Sequence, residues 1–314
     1  MTARVVIGLS AAIVAVTEEA PYVVVTREAG EMAGLPFGPF DPAGDRTLEL
    51  SLRGWVREQT SFEIGYAEQL YTFGDRGRET PMPETKGADR LISISYLALT
   101  PSRATLHRAG ARWRSWYDFF PWEDWRLGRP SAIDAVIAPS LRAWADGAGD
   151  AAAARRWARA RLAFALDGAV WNEERVLDRY ELLYEAGLTQ EAARDLGGAS
   201  ARGLGEPMIS DHRRILATAM GRLRAKIKYR PVIFELAPDL FTLLHLQRLV
   251  EAIAGLELHK QNFRRLLERT GLVEGSGQFD ASAGGRPAEL YRCRRETLAE
   301  RPVGGVHVPA PRWD

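Results

Sequence analysis

The sequence has few of the residues that build metal centres and disulfides. Its one cysteine, Cys293, excludes an internal disulfide and a cysteine-rich metal site. Its five histidines are scattered, and none of them has the spacing of a zinc-binding pair. These absences make a metal-dependent enzyme a weak interpretation from the start.

Long apolar runs and a strong net charge are also lacking. No run reaches the ~18 apolar residues that a membrane helix needs, so we expect no membrane partner. The 42 basic and 41 acidic side chains leave a net charge of +1, so a polyanion must meet a local basic patch. With 46% apolar and 26% charged residues, the composition is that of a folded globular protein. A cytoplasmic location is the default expectation.

The N-terminal apolar run admits two interpretations. Residues 5–17 could form the core of a signal peptide. However, Glu18 and Pro21 follow this run, and a second apolar run then covers residues 22–26. Two β-branched runs around a short polar break are more typical of a hairpin in a buried sheet, so we predict that hairpin.

Short apolar runs in the first 130 residues predict an α+β domain. Residues 5–16, 22–28 and 90–100 have the pattern of strands. Residues 48–62 have helical periodicity, with Leu48, Leu52, Trp55 (or Val56) and Gln59 expected to face the core. Residues 131–204, which we call the helical segment, are rich in alanine and arginine and predict a helical insertion with a solvated arginine face.

The C-terminal part of the chain has the pattern of a winged helix-turn-helix. A first helix is predicted after the N-cap Thr242 and ends at Gly255. A second helix covers residues 258–271, with Phe263, Leu266 and Leu267 inward. Two short strands around the glycine-rich loop 274–287 complete the pattern, which predicts a winged helix.

Charge favours DNA as the partner of this domain. Residues 205–314 hold 18 basic and 13 acidic side chains, whereas residues 1–204 hold 24 and 28. Arginine and glutamine hydrogen-bond guanine and adenine edges in the major groove, and Lys260 would suit a phosphate. Arg286, between glycine and proline, would suit phosphates or a narrow minor groove. The alternative is an ordinary charged surface. The predicted DNA-binding residues are Thr242, Lys260, Gln261, Asn262, Arg264, Arg265 and Arg286.

Aromatic residues are concentrated in residues 113–126, which we call the aromatic segment. A second ligand platform, a dimer contact and core packing are all open, and packing or an interface is the preferred interpretation. Cys293 is expected to be a small buried residue of the C-terminal hairpin.

Several motifs resemble the Nudix-related transcriptional regulators of NAD metabolism, of the NrtR and NadQ types. Residues 239–274, with GRPAELYR at 285–292, are similar to the winged helix of that family. LPFGPF (35–40), VREQTSF (56–62) and QLYTFGDRGR (69–78) lie where a Nudix domain has LPGG, the Nudix box and LYTFGDPGR. ISDHRRIL resembles the family's linker helix. The helical segment has no counterpart in these motifs, which makes the larger NadQ type the better match.

The resemblance implies the following organisation and function. A Nudix-like ligand-sensing domain would cover residues 1–130, completed by a helix at 205–228. The helical insertion at 131–204 would precede a DNA-binding winged helix at 229–314. The family further implies a homodimer that represses NAD biosynthesis genes and binds double-stranded operator DNA. Its small-molecule effector would be an adenine nucleotide, namely ADP-ribose, NAD or ATP.

The Nudix box of this chain has lost its metal-binding pattern. Where REUxEE supplies glutamates that bind Mg²⁺, this chain has Trp55, Glu58 and Gln59, and Arg46 replaces the upstream glutamate. Glu49 is close in sequence but out of register. We therefore predict no metal, no catalytic residue and no cofactor, and a sensor rather than a hydrolase.

The cleft implied by the resemblance lies among the LPFG loop, the box helix and the LYTFGD segment. Aromatic rings there could stack on adenine and an arginine could meet a pyrophosphate. Tyr71 and Phe73 could instead be core residues on one strand face, and Glu58 could simply pair with Arg57 or Arg53. The predicted ligand-binding residues are Phe37, Gly38, Arg57, Glu58, Tyr71, Phe73 and Asp75.

Two other function classes stay open beside the regulator. One is a nucleotide pyrophosphohydrolase with an atypical metal site, which would need a substitute carboxylate pair. The other is an adaptor whose winged helix binds a protein, which would not require the Arg/Gln/Lys-rich face at 260–269.

Overall fold

The computed structural model describes residues 5–26, 32–75, 90–103, 105–108, 110–281 and 287–294. The strands are β1 (Val5–Val16), β2 (Pro21–Val25), β3 (Phe37–Pro39), β4 (Tyr66–Phe73), β5 (Arg90–Leu99), β6 (Arg112–Ser115), β7 (Val273–Asp280) and β8 (Ala288–Cys293). The α-helices are α1 (Leu48–Thr60), α2 (Trp116–Phe119), α3 (Ala138–Asp146), α4 (Asp150–Phe164), α5 (Val176–Glu185), α6 (Gln190–Leu196), α7 (His212–Tyr229), α8 (Leu243–Ala254) and α9 (Lys260–Thr270). No helix among these residues is both long and apolar enough to span a membrane.

Strand β1 is central in a mixed six-stranded sheet. The order is β4-β5-β1-β2-β6, and β3 pairs with β1 at its other end. β1 runs parallel to β5 and antiparallel to β2, where Val14 lies opposite Val23. Because both faces of the sheet are covered, β1 is a nearly continuous apolar run instead of an alternating one. The predicted hairpin of β1 and β2 is confirmed.

The two faces of the sheet have separate cores. Leu9 and Ile13 of β1 pack with Leu52 and Val56 of α1 on one face. Alternate β1 residues, such as Val14, face the larger core that includes α7. Of the two alternatives predicted for the buried stripe of α1, Val56 is buried and Trp55 is half-buried, and Thr60 is buried where Gln59 was expected.

The aromatic segment forms the centre of the larger core. Trp116, Phe119, Phe120 and Trp122 are fully buried, which confirms the preferred packing interpretation. Leu141 of α3, Phe164 of α4 and Tyr180 of α5 belong to the same core. Helix α7 contacts α5, β4, β1 and α8. The helix α7 therefore connects the sheet, the helical segment and the C-terminal helices.

A buried ionic triad lies inside this junction. The Glu123 carboxylate accepts hydrogen bonds from Arg179 Nε at 2.5 Å and from Arg224 Nη1 at 2.6 Å. All three side chains are fully buried. Burial alone would raise the pKa of Glu123, but the two guanidinium groups lower it below its ordinary value. The carboxylate is therefore ionised and bound to α5 through Arg179 and to α7 through Arg224.

The C-terminal end of α8 is capped by the rest of the molecule. Tyr117 Oη donates to Ala252 O at 2.7 Å, and Arg224 Nε donates to Ile253 O at 2.8 Å. The backbone N–H of Trp125 donates to Gly255 O at 2.7 Å. The last carbonyls of a helix have no partner inside the helix, so these donors satisfy groups that would otherwise face water.

Helices α8 and α9 and the hairpin β7–β8 form the predicted winged helix. The Thr242 hydroxyl accepts from the N–H of His245 at 3.0 Å, which confirms the predicted N-cap. Gly255 and Gly271 end the two helices in the left-handed conformation. Strand β7 runs to Asp280 and is longer than predicted, because local residues gave no signal for the pairing partner of this glycine-rich stretch. Cys293 is only half-buried, contrary to the prediction.

Removing the charge of Glu123 should destabilise the protein. In Glu123→Gln two buried guanidinium groups lose their counter-charge, so we expect a loss of ~3–5 kcal/mol in the free energy of unfolding. Glu185→Gln is the matched control, because Glu185 pairs with Arg159 at the surface and such pairs contribute less than about 1 kcal/mol. Urea unfolding measures both variants. Equal, small losses would contradict a structural role for the triad.

Candidate functional site

The two residues that replace metal-binding glutamates hold β3 against α1. The Trp55 indole lies over Gly38, where a Cβ atom would come within 2.2 Å of the ring. Its Nε1 donates to Pro39 O at 2.9 Å. The Gln59 amide makes two hydrogen bonds with the backbone of Phe37, at 3.2 and 2.6 Å. Gly38 is thus required by close approach, and the LPFG loop is fastened to the box helix.

The carboxylates near the box are few and dispersed. Glu58 is exposed on α1, and Glu49 pairs with Arg53 at 2.8 Å. The suggested pairing of Glu58 with Arg53 was therefore wrong. Within the described ranges, no group of three or more His, Cys, Asp or Glu side chains could hold a metal ion. Mg²⁺ requires several anionic oxygens in an octahedral arrangement, and the described box residues do not fit it.

A groove of about 550 Å³ lies beside α1. The Trp55 indole forms one wall, and Arg57, Glu58 and Arg108 add charge. Asp45 is occupied within the loop, since it accepts from Ser51 Oγ at 2.6 Å. An indole wall beside two guanidinium groups suits a planar ring that carries a phosphate.

The predicted ligand-binding residues are divided between the two faces of the sheet. Gly38 faces α1 and the side of Arg57 and Glu58, whereas Phe37 faces α7. Tyr71, Phe73 and Asp75 share the α7 side, as the following contacts show. These residue assignments stay predictions.

The LYTFGD residues meet the first turns of α7. Phe73 is buried in the core and contacts Tyr71 edge to face at 5.1 Å, whereas Tyr71 is largely exposed. Asp75 forms an ion pair with Arg214, whose guanidinium also lies 5.2 Å from the centre of the Phe73 ring. Arg214 in turn pairs with Glu181 of α5 at 2.7 Å. One arginine therefore joins this strand end to the helical segment.

His212 is a functional candidate that sequence reasoning missed. Its Nδ1 accepts from the N–H of Leu35 at 2.9 Å, and its ring lies 4.9 Å from Phe37. Burial, with the charge of Arg194, lowers the pKa of His212 to about 3, so the ring is neutral. The LPFG loop is thereby fastened to α7 as well as to α1. Its position in ISDHRRIL, inside the linker motif, was the available signal.

The exposed face of α9 carries the predicted DNA-binding residues of that helix. Phe263 and Leu267 are buried, and Leu266 is half-buried. The residues exposed on α9 include Lys260, Gln261, Asn262, Arg264 and Arg265. Thr242 serves as the cap of α8, and Arg286 lies outside the described residues. The DNA contacts themselves stay predictions.

The winged helix also contacts the turn between β1 and β2. Glu18 Oε1 is hydrogen-bonded to His245 Nδ1 at 2.7 Å, and Glu18 also pairs with Arg248 of the same helix. Burial alone would raise the pKa of Glu18, but the bonds from Arg248 and His245 lower it. The first helix of the winged helix therefore has a polar contact with the sheet domain.

Acid should destabilise the protein partly through His212. Above its unfolded pKa of 6.5 the histidine is neutral in both states, and below it the unfolded chain takes up a proton that the folded one excludes down to about pH 3. Between about pH 7 and about pH 5.5 this histidine should cost roughly 1 kcal/mol of stability. His212→Gln should lose that part of the dependence, and the exposed His107→Gln should keep it. Urea unfolding at both pH values is the measurement; identical slopes in all three proteins would refute the assignment.

The comparisons with known proteins agree with this architecture. Residues 233–293 match the family model of the NrtR DNA-binding winged helix domain. A protein of Acinetobacter baylyi, the ADPR responsive transcriptional repressor NtrR, is 44% identical over 82 residues, which cover 26% of this chain and 32% of that protein. The chain thus matches about a third of the length of this curated relative.

Solved structures extend the likeness to the whole fold. Shewanella oneidensis NrtR complexed with a 27mer DNA has a TM-score of 0.56 and 18% identity, covering 96% of this chain and 99% of that one. A second crystal structure of Shewanella oneidensis NrtR has a TM-score of 0.55 and 18% identity, covering 93% of this chain and 96% of that one. A MutT/nudix family protein from Enterococcus faecalis has a TM-score of 0.54 and 14% identity, covering 94% of this chain and 88% of that one. The resemblance seen in the sequence is confirmed: the chain has the fold of the NrtR-type proteins, and residues 233–293 match the NrtR winged helix.

Proposed function

We propose that this protein is a ligand-responsive transcriptional regulator, a repressor of NAD biosynthesis genes. The observation that carries the proposal is the basic, exposed face of α9 on an NrtR-type winged helix. Arginine, lysine, glutamine and asparagine on one helix face are the side chains that bind base edges and phosphates. A relative described as an ADPR responsive transcriptional repressor supports the same role.

The Nudix-like domain is proposed to sense rather than to hydrolyse. Trp55 and Gln59 stand at positions where the Nudix pattern has glutamates, and both are engaged in holding β3. The remaining carboxylate, Glu58, would bring too little negative charge for a hydrated Mg²⁺. The domain division follows the sequence: ligand sensing in 1–130 with 205–228, DNA binding in 229–314.

The proposed effector is an adenine nucleotide, with ADP-ribose the first choice and NAD and ATP as further candidates. The groove beside α1 offers Arg57 and Arg108 to the phosphates and Trp55 to a ring. The bound ligand would contact the LPFG loop, which His212 joins to α7. Since Arg224 of α7 bonds to the end of α8, a displacement of this helix reaches the winged helix. Two half-sites would need two readers, so the operator complex is proposed to be a homodimer.

Alanine variants of the proposed DNA-binding residues should distinguish contacts with base edges from contacts with phosphates. Replacing the base-reading member of Arg264 and Arg265 by alanine should cost ~1–3 kcal/mol and relax preference at one operator position. Lys260→Ala and Arg286→Ala should weaken binding to every duplex and lower the salt slope by about one. Arg142→Ala, on exposed α3, is the control.

The measurement is a titration of each variant with operator and scrambled duplex at several salt concentrations. The operator is the duplex that the wild-type protein selects from random-sequence DNA. Unchanged affinity and salt slope in both Arg264→Ala and Arg265→Ala would exclude α9 as the reader and favour the protein adaptor.

Effector and operator binding should be linked. A nucleotide that regulates DNA binding must bind the free and the DNA-bound protein with different affinities. The factor by which DNA changes the affinity for the nucleotide must equal the factor by which the nucleotide changes the affinity for DNA. Calorimetry with and without operator measures it for ADP-ribose, NAD, NADP, nicotinamide mononucleotide and ATP. Arg57→Ala should weaken nucleotide binding, whereas Arg159→Ala, at an exposed residue, should leave it unchanged. Absence of binding by all five nucleotides would refute the sensor.

Hydrolysis should be absent. With ADP-ribose and millimolar Mg²⁺ or Mn²⁺, the purified protein should release no AMP above a buffer blank, because one exposed carboxylate does not assemble the metal site. Chromatography of the nucleotides is the measurement. Turnover that disappears in Glu58→Gln would restore the pyrophosphohydrolase interpretation.

A further inference from the structure

An exposed phenylalanine lies near the end of β7 in the wing, which we define as the strands β7 and β8. Phe279 is 63% exposed and is the penultimate residue of β7, opposite Glu289 of β8. Exposure of the phenyl ring forgoes the favourable free energy of burying its apolar surface. The two residues before it, Gly277 and Gln278, are also exposed and are not apolar. Single exposed apolar residues are common on protein surfaces, so the position of Phe279 on the wing, rather than its exposure, makes it a candidate contact.

The strand register places Phe279 on the face of the wing that is turned towards α9. Paired residues share a face, and residues two apart on a strand share it as well, so Phe279, Glu289 and Tyr291 lie together. Tyr291 Oη donates to Glu289 Oε2 at 2.9 Å. The half-buried Tyr291 packs against the hydrophobic core to which Phe263 and Leu267 of α9 belong. Phe279 thus continues the surface that α9 begins.

The distance along the wing fits the grooves of a duplex. Phe279 is the sixth residue after Val273, at the start of β7, and an extended strand of this length spans roughly 20 Å. The bulge between Gly275 and Phe279 shortens this reach somewhat. Half a turn of B-DNA, from the major groove to the next minor groove, is about 17 Å. With α9 in a major groove, the wing is long enough for Phe279 to reach the adjacent minor groove.

We propose that Phe279 is an apolar wedge that enters this minor groove and unstacks one base step of the operator. The inference rests on the proposed DNA-binding function and adds a residue that determines specificity without reading a base edge. Apolar side chains inserted between base pairs kink the duplex towards the major groove. Pyrimidine–purine steps are the easiest to unstack, so the operator should carry such a step beside each α9 site.

The experiment uses the full chain and the duplex that it selects from random-sequence DNA. Affinity is measured by fluorescence anisotropy, bending by energy transfer between dyes at the duplex ends, and unstacking by 2-aminopurine placed in turn along the site. The variants are Phe279→Ala and Phe279→Leu, with Arg264→Ala as the variant that tests α9. Val170→Ala, at a residue that is 69% exposed in the helical segment, is the matched control.

Phe279→Ala should bind the operator about ten-fold more weakly, in the range measured for one aromatic–base contact. It should also bend the duplex less and lose the 2-aminopurine signal at one step, whereas Phe279→Leu should retain most of both. Wild-type bending and unstacking in Phe279→Ala, with binding still lost in Arg264→Ala, would overturn the wedge and leave the regulator intact. Weakened binding with unchanged bending and 2-aminopurine signal would overturn it as well. Failure of the wild-type protein to select any duplex would instead overturn the proposed function.

Discussion

The ion triad of Glu123, Arg179 and Arg224 is the constraint on which the remaining architecture depends. It joins the aromatic segment, α5 and α7 at one fully buried point. A buried carboxylate is costly unless its charge is compensated, and two guanidinium groups fix its position from two helices. Because Arg224 also bonds to the end of α8, the winged helix is held in a defined place relative to the sheet. Movement of one part without the others would expose an uncompensated charge.

The box helix α1 is bonded to strand β3 through two side chains. In the Nudix pattern the corresponding positions supply carboxylates to a cation, whereas here Trp55 and Gln59 bind the backbone of β3. The LPFG loop is held from the other side by the neutral ring of His212. A ligand that contacts this loop acts on a segment attached to two helices at once. The same loop is therefore the natural origin of a conformational signal in the proposed regulator.

Much of the fold was predictable because the relevant signals are local. The buried run of β1, the periodicity of α1 and the cap and stop residues of α8 each lie within a short stretch of sequence. The winged helix followed from four such elements in order. The face of α1 was predicted less well, because Trp55 and Val56 are neighbours and periodicity alone does not choose between them.

The unpredicted features depend on residues far apart in sequence. Glu123 lies 56 residues from Arg179 and 101 from Arg224, and no local sequence pattern indicates that the three side chains meet. His212 is 177 residues from Leu35, so its bond to the loop left no trace in the spacing of the histidines. In the candidate cleft the motifs identified the segments, but the strand register decided that Phe37 and Gly38 face opposite sides.

The capping of α8 by side chains outside the winged helix limits how this domain can be transplanted. Tyr117, Trp125 and Arg224 provide the donors for its last carbonyls, and a Cβ on Gly255 would come within 2.2 Å of Glu123 O. A protein engineer who grafts residues 233–293 onto another scaffold would leave those carbonyls without their partners and uncover the apolar surface around them. A portable module must therefore include the aromatic segment and α7. The cooperative folding unit is thus larger than residues 233–293, the range that matches the family model.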